Sequence, residues 1–257
     1  MQVEKKPIGL FDSGIGGITI LKELIYELPN ENFVYFGDNK NAPYGPRTKE
    51  EVTKFSKNIC DFLISKNCKL IVVACNTATA AAISELRKSY KLPIIGIEPA
   101  VKPACLATKT RNIAVLATAG TFLGNLYQET SKKYKKYINI YYKIGKELIV
   151  FAENGIFSGE IVETKIKEFF QEFFENNVDI LVLGCTHYAF FNETFFKIAA
   201  NKITIIDSAK AVAKRTKDIL MQNEILNISN NKSNIDFYSS GNIDFLKEIA
   251  KNYLGDI

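Results

Sequence analysis

Two cysteines occupy matching places in this chain. Cys75 closes the apolar run Leu70-Ile71-Val72-Val73-Ala74 and is followed by Asn76 and Thr77. Cys185 closes Ile180-Leu181-Val182-Leu183-Gly184 and is followed by Thr186 and His187. Each run reads as a buried parallel strand whose C-terminal end feeds a loop and then a helix. Ligand sites of open α/β sheets lie at that end of the strands. A fold that brings both ends to one cleft sets two thiols facing each other across a small substrate. Such a pair suits moving a proton from one face of a carbon to the other. A helix N-terminus lowers a thiol from its reference value of about 8.5, so a thiolate near neutral pH is expected at both positions. Either residue alone also fits a buried structural cysteine, and the shared post-strand position favours function.

Other residues gather around the same kind of position. Asp12 ends the run Ile8-Gly9-Leu10-Phe11 and opens Ser13-Gly14-Ile15-Gly16-Gly17. A dinucleotide loop is excluded, because with glycines at 14 and 16 the third position of G-x-G-x-x-G is Thr19. The turn still offers backbone N–H groups and a helix start, which suit a carboxylate as well as a phosphate. Asp12 there can meet a substrate ammonium or orient a base, or simply cap the helix. His187 is the only histidine and is two residues from Cys185, a place for an acid–base assistant. Zinc needs three or four ligands, and the chain has no C-x-x-C, so no metal site is expected. The turn-rich segment Asn39–Pro46 and Thr118-Ala119-Gly120-Thr121 each follow a strand and are candidate site loops.

The elements that must position these residues alternate. Strands are expected at 8–11, 33–36, 70–74, 94–97, 113–117, 138–142, 180–183, 203–206 and 235–238. Helices are expected near 17–28, 49–65, 78–90, 122–135, 159–175, 209–221 and 244–254. Strand–helix alternation means parallel sheets covered on both faces. The pattern suggests an α/β protein of two similar lobes, with the last strand–helix pair returning to the first lobe after an Asn- and Ser-rich linker over 227–234. The division expected is 1–97 plus 208–257 for one domain and 98–207 for the other.

Composition sets outer limits. The 257 residues carry 33 basic and 28 acidic side chains, a net charge of +5, too small an excess to argue for nucleic acid. The densest basic run, Lys132-Lys133-Tyr134-Lys135-Lys136, reads as a solvated helix end. No stretch approaches the roughly 18 apolar residues of a membrane span, and the N-terminus lacks an apolar signal core. No membrane partner is expected, and the expected location is cytoplasmic. Five cysteines at irregular spacing make no disulfide framework, so Cys60, Cys68 and Cys105 read as packing residues.

Taken in order, several motifs resemble the cofactor-independent aspartate/glutamate racemases, and glutamate racemases in particular. They are Asp12-Ser13-Gly14-Ile15-Gly16-Gly17, Tyr35-Phe36-Gly37-Asp38, Pro43-Tyr44-Gly45, Ala74-Cys75-Asn76-Thr77 and Gly184-Cys185-Thr186-His187-Tyr188. Ile206-Asp207-Ser208-Ala209 and Phe237-Tyr238-Ser239-Ser240-Gly241 belong to the same set. The resemblance implies two pseudosymmetric three-layer α/β domains with the active site between them. It implies interconversion of L- and D-glutamate without a cofactor, supplying D-glutamate for peptidoglycan, usually by a homodimer. It assigns Cys75 and Cys185 as the two bases, with Asp12 assisting Cys75, and His187 and Glu153 assisting Cys185. Ser13, Pro43, Tyr44, Gly45, Asn76, Thr77, Thr118, Thr121 and Thr186 would hold substrate, with Asp12 and His187 touching it as well. The segment Ile144-Gly145-Lys146-Glu147-Leu148 departs from the Ala-Cys-Pro that related racemases often have there, which leaves Glu147 as a rival to Glu153. Aspartate racemase, a non-catalytic amino-acid binder and a zinc hydrolase are the competing readings.

Overall fold

The computed structural model describes residues 3–229 and 232–255. In chain order the elements are β1 (Ile8–Asp12), α1 (Ile18–Glu27), β2 (Phe33–Gly37), α2 (Lys49–Ser65), β3 (Leu70–Val73), α3 (Asn76–Ser89) and β4 (Ile94–Gly96). They continue with α4 (Val101–Ala107), β5 (Asn112–Ala117), α5 (Ala119–Leu123), α6 (Asn125–Tyr134), β6 (Asn139–Ile144), α7 (Lys146–Glu153) and α8 (Glu160–Glu175). The last are β7 (Ile180–Gly184), α9 (Asn192–Ala199), β8 (Thr204–Ile206), α10 (Ala209–Gln222), β9 (Ile235–Ser239) and α11 (Ile243–Leu254). A 3-10 segment, Thr186–Phe191, separates β7 from α9.

The strands form two parallel sheets flanked by helices. One runs β4-β3-β1-β2-β9 and the other β6-β5-β7-β8. Read from its other edge, the second is β8-β7-β5-β6. Its strands thus follow the order of β4-β3-β1-β2, strand for strand, with β9 added to the edge of the first. The likeness between the two cysteine strands is therefore topological: β3 and β7 hold equivalent places. Both are apolar and buried along their length, as strands covered on both faces must be. The edge strand β6 is instead half-exposed.

All nine expected strands are present. The helix expected over 122–135 is broken at Gly124, where a Cβ would lie 2.5 Å from that of Ala80, so α5 and α6 meet α3 at a point only glycine allows. Of the linker expected over 227–234, residues 230 and 231 lie outside the described residues. Its start is pinned. The Asn227 N–H donates to Glu31, and Lys69, buried with Glu31, pairs with it at 2.6 Å and donates to the Ile225 carbonyl. A buried pair satisfied on both sides anchors the returning chain, because separating its members would strand a charge. Where the chain crosses between the sheets, the Ser208 hydroxyl donates to the Glu98 carbonyl.

Candidate active site

β1 ends in Asp12, whose side chain folds back over the turn it opens. Its Oδ2 accepts from the N–H groups of Gly14 (3.3 Å) and Gly17 (3.0 Å), and the Tyr35 hydroxyl donates to the Gly14 carbonyl at 2.8 Å. A Cβ on Gly17 would press on Asp12 Cβ at 2.8 Å, so glycine is needed for this close return. Asp12 is wholly buried, and its Oδ1 has no hydrogen-bond partner. Burial pushes the carboxyl above its ordinary value, against the pull of His187.

Cys75 caps α3: its Sγ accepts from the Ala78 N–H at 3.4 Å and lies 3.8 Å from Ser13 Oγ. The helix start does not make it a ready thiolate. Burial pushes this thiol well above its usual value and Asp12 adds to the push, while the Ala78 N–H pulls only partly back. The expectation of a low pKa from the helix start alone thus fails at Cys75. A few oriented N–H groups cannot replace the water that a buried thiolate loses.

Cys185 begins the 3-10 segment and faces different company. His187 Nδ1 is 3.7 Å from its Sγ, and His187 Nε2 is 2.6 Å from Glu153 Oε1. Burial works against protonation of this imidazole, but contact with Cys185 and Glu153 outweighs it and raises His187 well above its ordinary value. Burial likewise pushes Glu153 up, but the hydrogen bond and charge of His187, with the Ile15 N–H and the Asn39 amide, together bring it below its ordinary value. Glu147, the rival carboxylate, instead meets Lys165 at 3.3 Å on the surface.

Between the two sulfurs lies a small cavity of about 10 Å³, room for roughly one water molecule. Ser13, Pro43, Tyr44, Gly45, Cys75, Asn76, Thr77, Thr118, Cys185, Thr186 and His187 line it. Asp12, Thr121 and Glu153 stand behind that wall. One side is a hydroxyl ladder across the cleft: Thr77 to Thr118 at 2.8 Å, then Thr118 to Thr121 at 2.9 Å. Asn76 Oδ1, like Asp12 Oδ1, is buried without a donor. No lysine or arginine lines the cavity. The arrangement offers two carbonyl-type acceptors to an ammonium, neutral donors to a carboxylate, and a thiol on either side. Among the described residues, no group of three or more His, Cys, Asp or Glu is gathered to hold a metal.

Three further residues support the site, and only Ile149 lies outside the motifs and loops read from the sequence. Ile149 lines the cavity from α7, a helix the pattern did not reveal. Asp38 accepts from Tyr44 Oη (2.5 Å), Asn41 and Ser240 and so fixes the loop that presents Pro43, Tyr44 and Gly45. Its signal was its place after β2, matching that of Asp12 after β1. Asn39 donates to Glu153 at 3.4 Å.

The Asp/Glu/Hydantoin racemase family matches residues 20–216. A glutamate racemase of Clostridium botulinum (strain Alaska E43) is 41% identical over 255 residues, covering 99% of each chain. The crystal structure of a Bacillus anthracis glutamate racemase isoform superposes with a TM-score of 0.87 at 34% identity, covering 98% of this chain and 95% of that one. A Francisella tularensis glutamate racemase solved with D-glutamate gives 0.83 at 33% identity, covering 98% and 94%. Likeness of this depth over nearly the whole chain shows that the chain belongs to the Asp/Glu/Hydantoin racemase family.

Proposed function

We propose that this chain interconverts L- and D-glutamate by proton transfer between Cys75 and Cys185, with no cofactor. The observation that carries the reading is the pair of thiols on opposite walls of one closed cavity, each with its own assistant. The names of the relatives, glutamate racemases at about 40% identity, support the substrate.

With L-glutamate, the Cα–H bond breaks and the proton passes to the Cys185 thiolate. The electron pair left at Cα spreads into the α-carboxylate. Cys75 then gives its S–H proton to the opposite face and is left as the thiolate. With D-glutamate the roles reverse. Burial keeps Cys75 protonated in the free enzyme, and His187, raised by its contacts with Cys185 and Glu153, stands beside the other sulfur as its acid–base assistant. The unpartnered Oδ1 atoms of Asp12 and Asn76 suit the ammonium. The N–H groups and hydroxyls that line the rest stabilise the developing charge, and a dry cleft strengthens them.

A cavity of about 10 Å³ cannot admit an amino acid. The halves 1–97 with 208–257 and 98–207 therefore act as domains that part and close. We assign the protein to D-glutamate supply for peptidoglycan, in the cytoplasm and as a homodimer, on the strength of the family resemblance; sedimentation analysis checks the last. The test of the reaction is incubation with L-glutamate in D₂O. D-Glutamate carrying deuterium at Cα is the expected product, formed undiminished in the presence of a chelator. Bound but unexchanged L-glutamate would make this a binder, and faster turnover of aspartate would reassign the substrate.

A further inference from the structure

Glu153 is held from both sides of the cleft. Its own half supplies His187, at 2.6 Å from Oε1. The other half supplies the Ile15 N–H, at 3.2 Å from Oε1, and the Asn39 side-chain amide, at 3.4 Å from Oε2. Asn39 is itself fixed. Its Oδ1 accepts from the Ser239 hydroxyl at 2.9 Å, and Ser239 Oγ accepts from the Gly241 N–H at 3.0 Å. That orients the amide so that its NH₂ can only point toward the carboxylate. Room for it is built in, since a Cβ on Gly37 would lie 2.8 Å from Asn39 Oδ1 and one on Gly241 3.0 Å from Asn39 Cβ. A continuous path of contacts therefore runs Ser239, Asn39, Glu153, His187, Cys185, beginning in one half and ending in the other.

We propose that Asn39 is a positioning residue for the Cys185 side of the reaction, gripping Glu153 from across the cleft so that the Glu153–His187 pair is complete only when the halves close. This rests on the two-thiol reading above. A donor to the free oxygen of a carboxylate favours its charged form and aims its other oxygen at the imidazole. At 3.4 Å the bond is long, as catalytic hydrogen bonds are before substrate draws a site together. The charged and titratable groups around His187 and Glu153 are Asp12 on β1, Tyr35 on β2, the two thiols and, at the outer rim, the exposed Lys40, which lines the same surface pocket as Glu153 but forms no ion pair with it. None of these is a fixed cation that would hold Glu153 in place of Asn39.

His187 is the only histidine in the chain, so its imidazole resonances report this pair without assignment ambiguity. In Asn39→Ala the imidazole should titrate lower by about 0.5–1 unit, a part of the roughly 1–2 units that one hydrogen bond to a charged group is worth, because the bond is made to Glu153 and reaches the imidazole through it. Turnover should fall about tenfold, in kcat more than in KM, with the melting temperature little changed. Ser239→Ala should shift the imidazole in the same direction by less, which keeps the test open if the first variant folds poorly. An unmoved imidazole midpoint in folded Asn39→Ala would overturn the proposal, whatever happens to activity, because a loop-shaping role alone would not touch the titration. Wild-type protein inert toward glutamate would instead refute the assigned reaction, and the imidazole shift would still decide the role of Asn39.

Discussion

In the proposed reaction Cys75 and Cys185 carry the same chemistry in unlike surroundings. One is a buried thiol beside Asp12 and Ser13, the other a sulfur beside an imidazole raised by its own carboxylate. Replacing either with Ala should nearly abolish racemisation, since each is the sole proton carrier on its face and such groups supply about 10²–10⁴-fold. A sharper result comes from glutamate analogues bearing a leaving group at Cβ, where a single proton abstraction suffices for elimination. Cys75→Ser should still eliminate from the L-form and Cys185→Ser from the D-form; equal loss of both forms in both variants would sink the two-base scheme. The His187–Glu153 pair also has a pH signature. A raised histidine stabilises the fold fully below its unfolded value of 6.5 and loses that contribution as pH rises through the higher folded value. A lowered glutamate contributes above its unfolded 4.5 and loses that as pH falls through the lower folded value. Glu153→Gln should therefore lower the urea midpoint most between pH 4.5 and 6.5, with the deficit shrinking at alkaline pH. The other three cysteines are buried and inert, pushed up to about 12 at Cys60 and Cys68 and about 11 at Cys105.

At the scale of elements, α3 couples chemistry to stability because its N-cap is a catalytic candidate. Cys75 Sγ accepts from the Ala78 N–H, and serine is a good cap whereas alanine is not. Cys75→Ser should therefore be more stable than Cys75→Ala by about 0.5–2 kcal/mol, although both fail to racemise. Equal urea midpoints for the two would show that the sulfur does not cap the helix. The nine strands were legible because buried parallel strands are short apolar runs bounded by turn residues. Three helices were not. α4 carries Pro103 in its first turn, α9 spans eight residues, and α7 is an apolar run, Leu148-Ile149-Val150-Phe151-Ala152, whose period does not separate helix from strand. The departure from Ala-Cys-Pro left Glu147 and Glu153 as rivals, and α7 separates them. The helix carries Glu147 out to Lys165 and Glu153 in to His187.

For the molecule as a whole, the proposed reaction requires the two halves to part and close around the site. The turn after β1 is glycine-rich at the seam: a Cβ on Gly16 would come within 2.6 Å of His187 Nδ1, and one on Gly14 within 2.8 Å of Glu153 Cδ. An added methyl group at either glycine would press on Glu153 or His187 across the seam. Gly16→Ala should hold its melting temperature within a few degrees while kcat falls about a hundredfold, the usual cost of misplacing reacting groups by about an ångström. Retained turnover in that variant would mean that the seam need not close so tightly.

The sequence by itself determined the alternation of strands and helices, the two cysteine-bearing strand ends, and the motifs whose order carries the family. These are local properties, set by apolar periodicity, turn residues and short spacings. The tertiary structure alone decided that β8-β7-β5-β6 repeats β4-β3-β1-β2, that Glu153 and not Glu147 meets His187, and that Asn39 reaches Glu153 and Asp38 holds Tyr44. It also decided the state of Cys75. A helix start can be read along the chain, but the burial that overrides it comes from residues far away in sequence that exclude water only once the two halves have met.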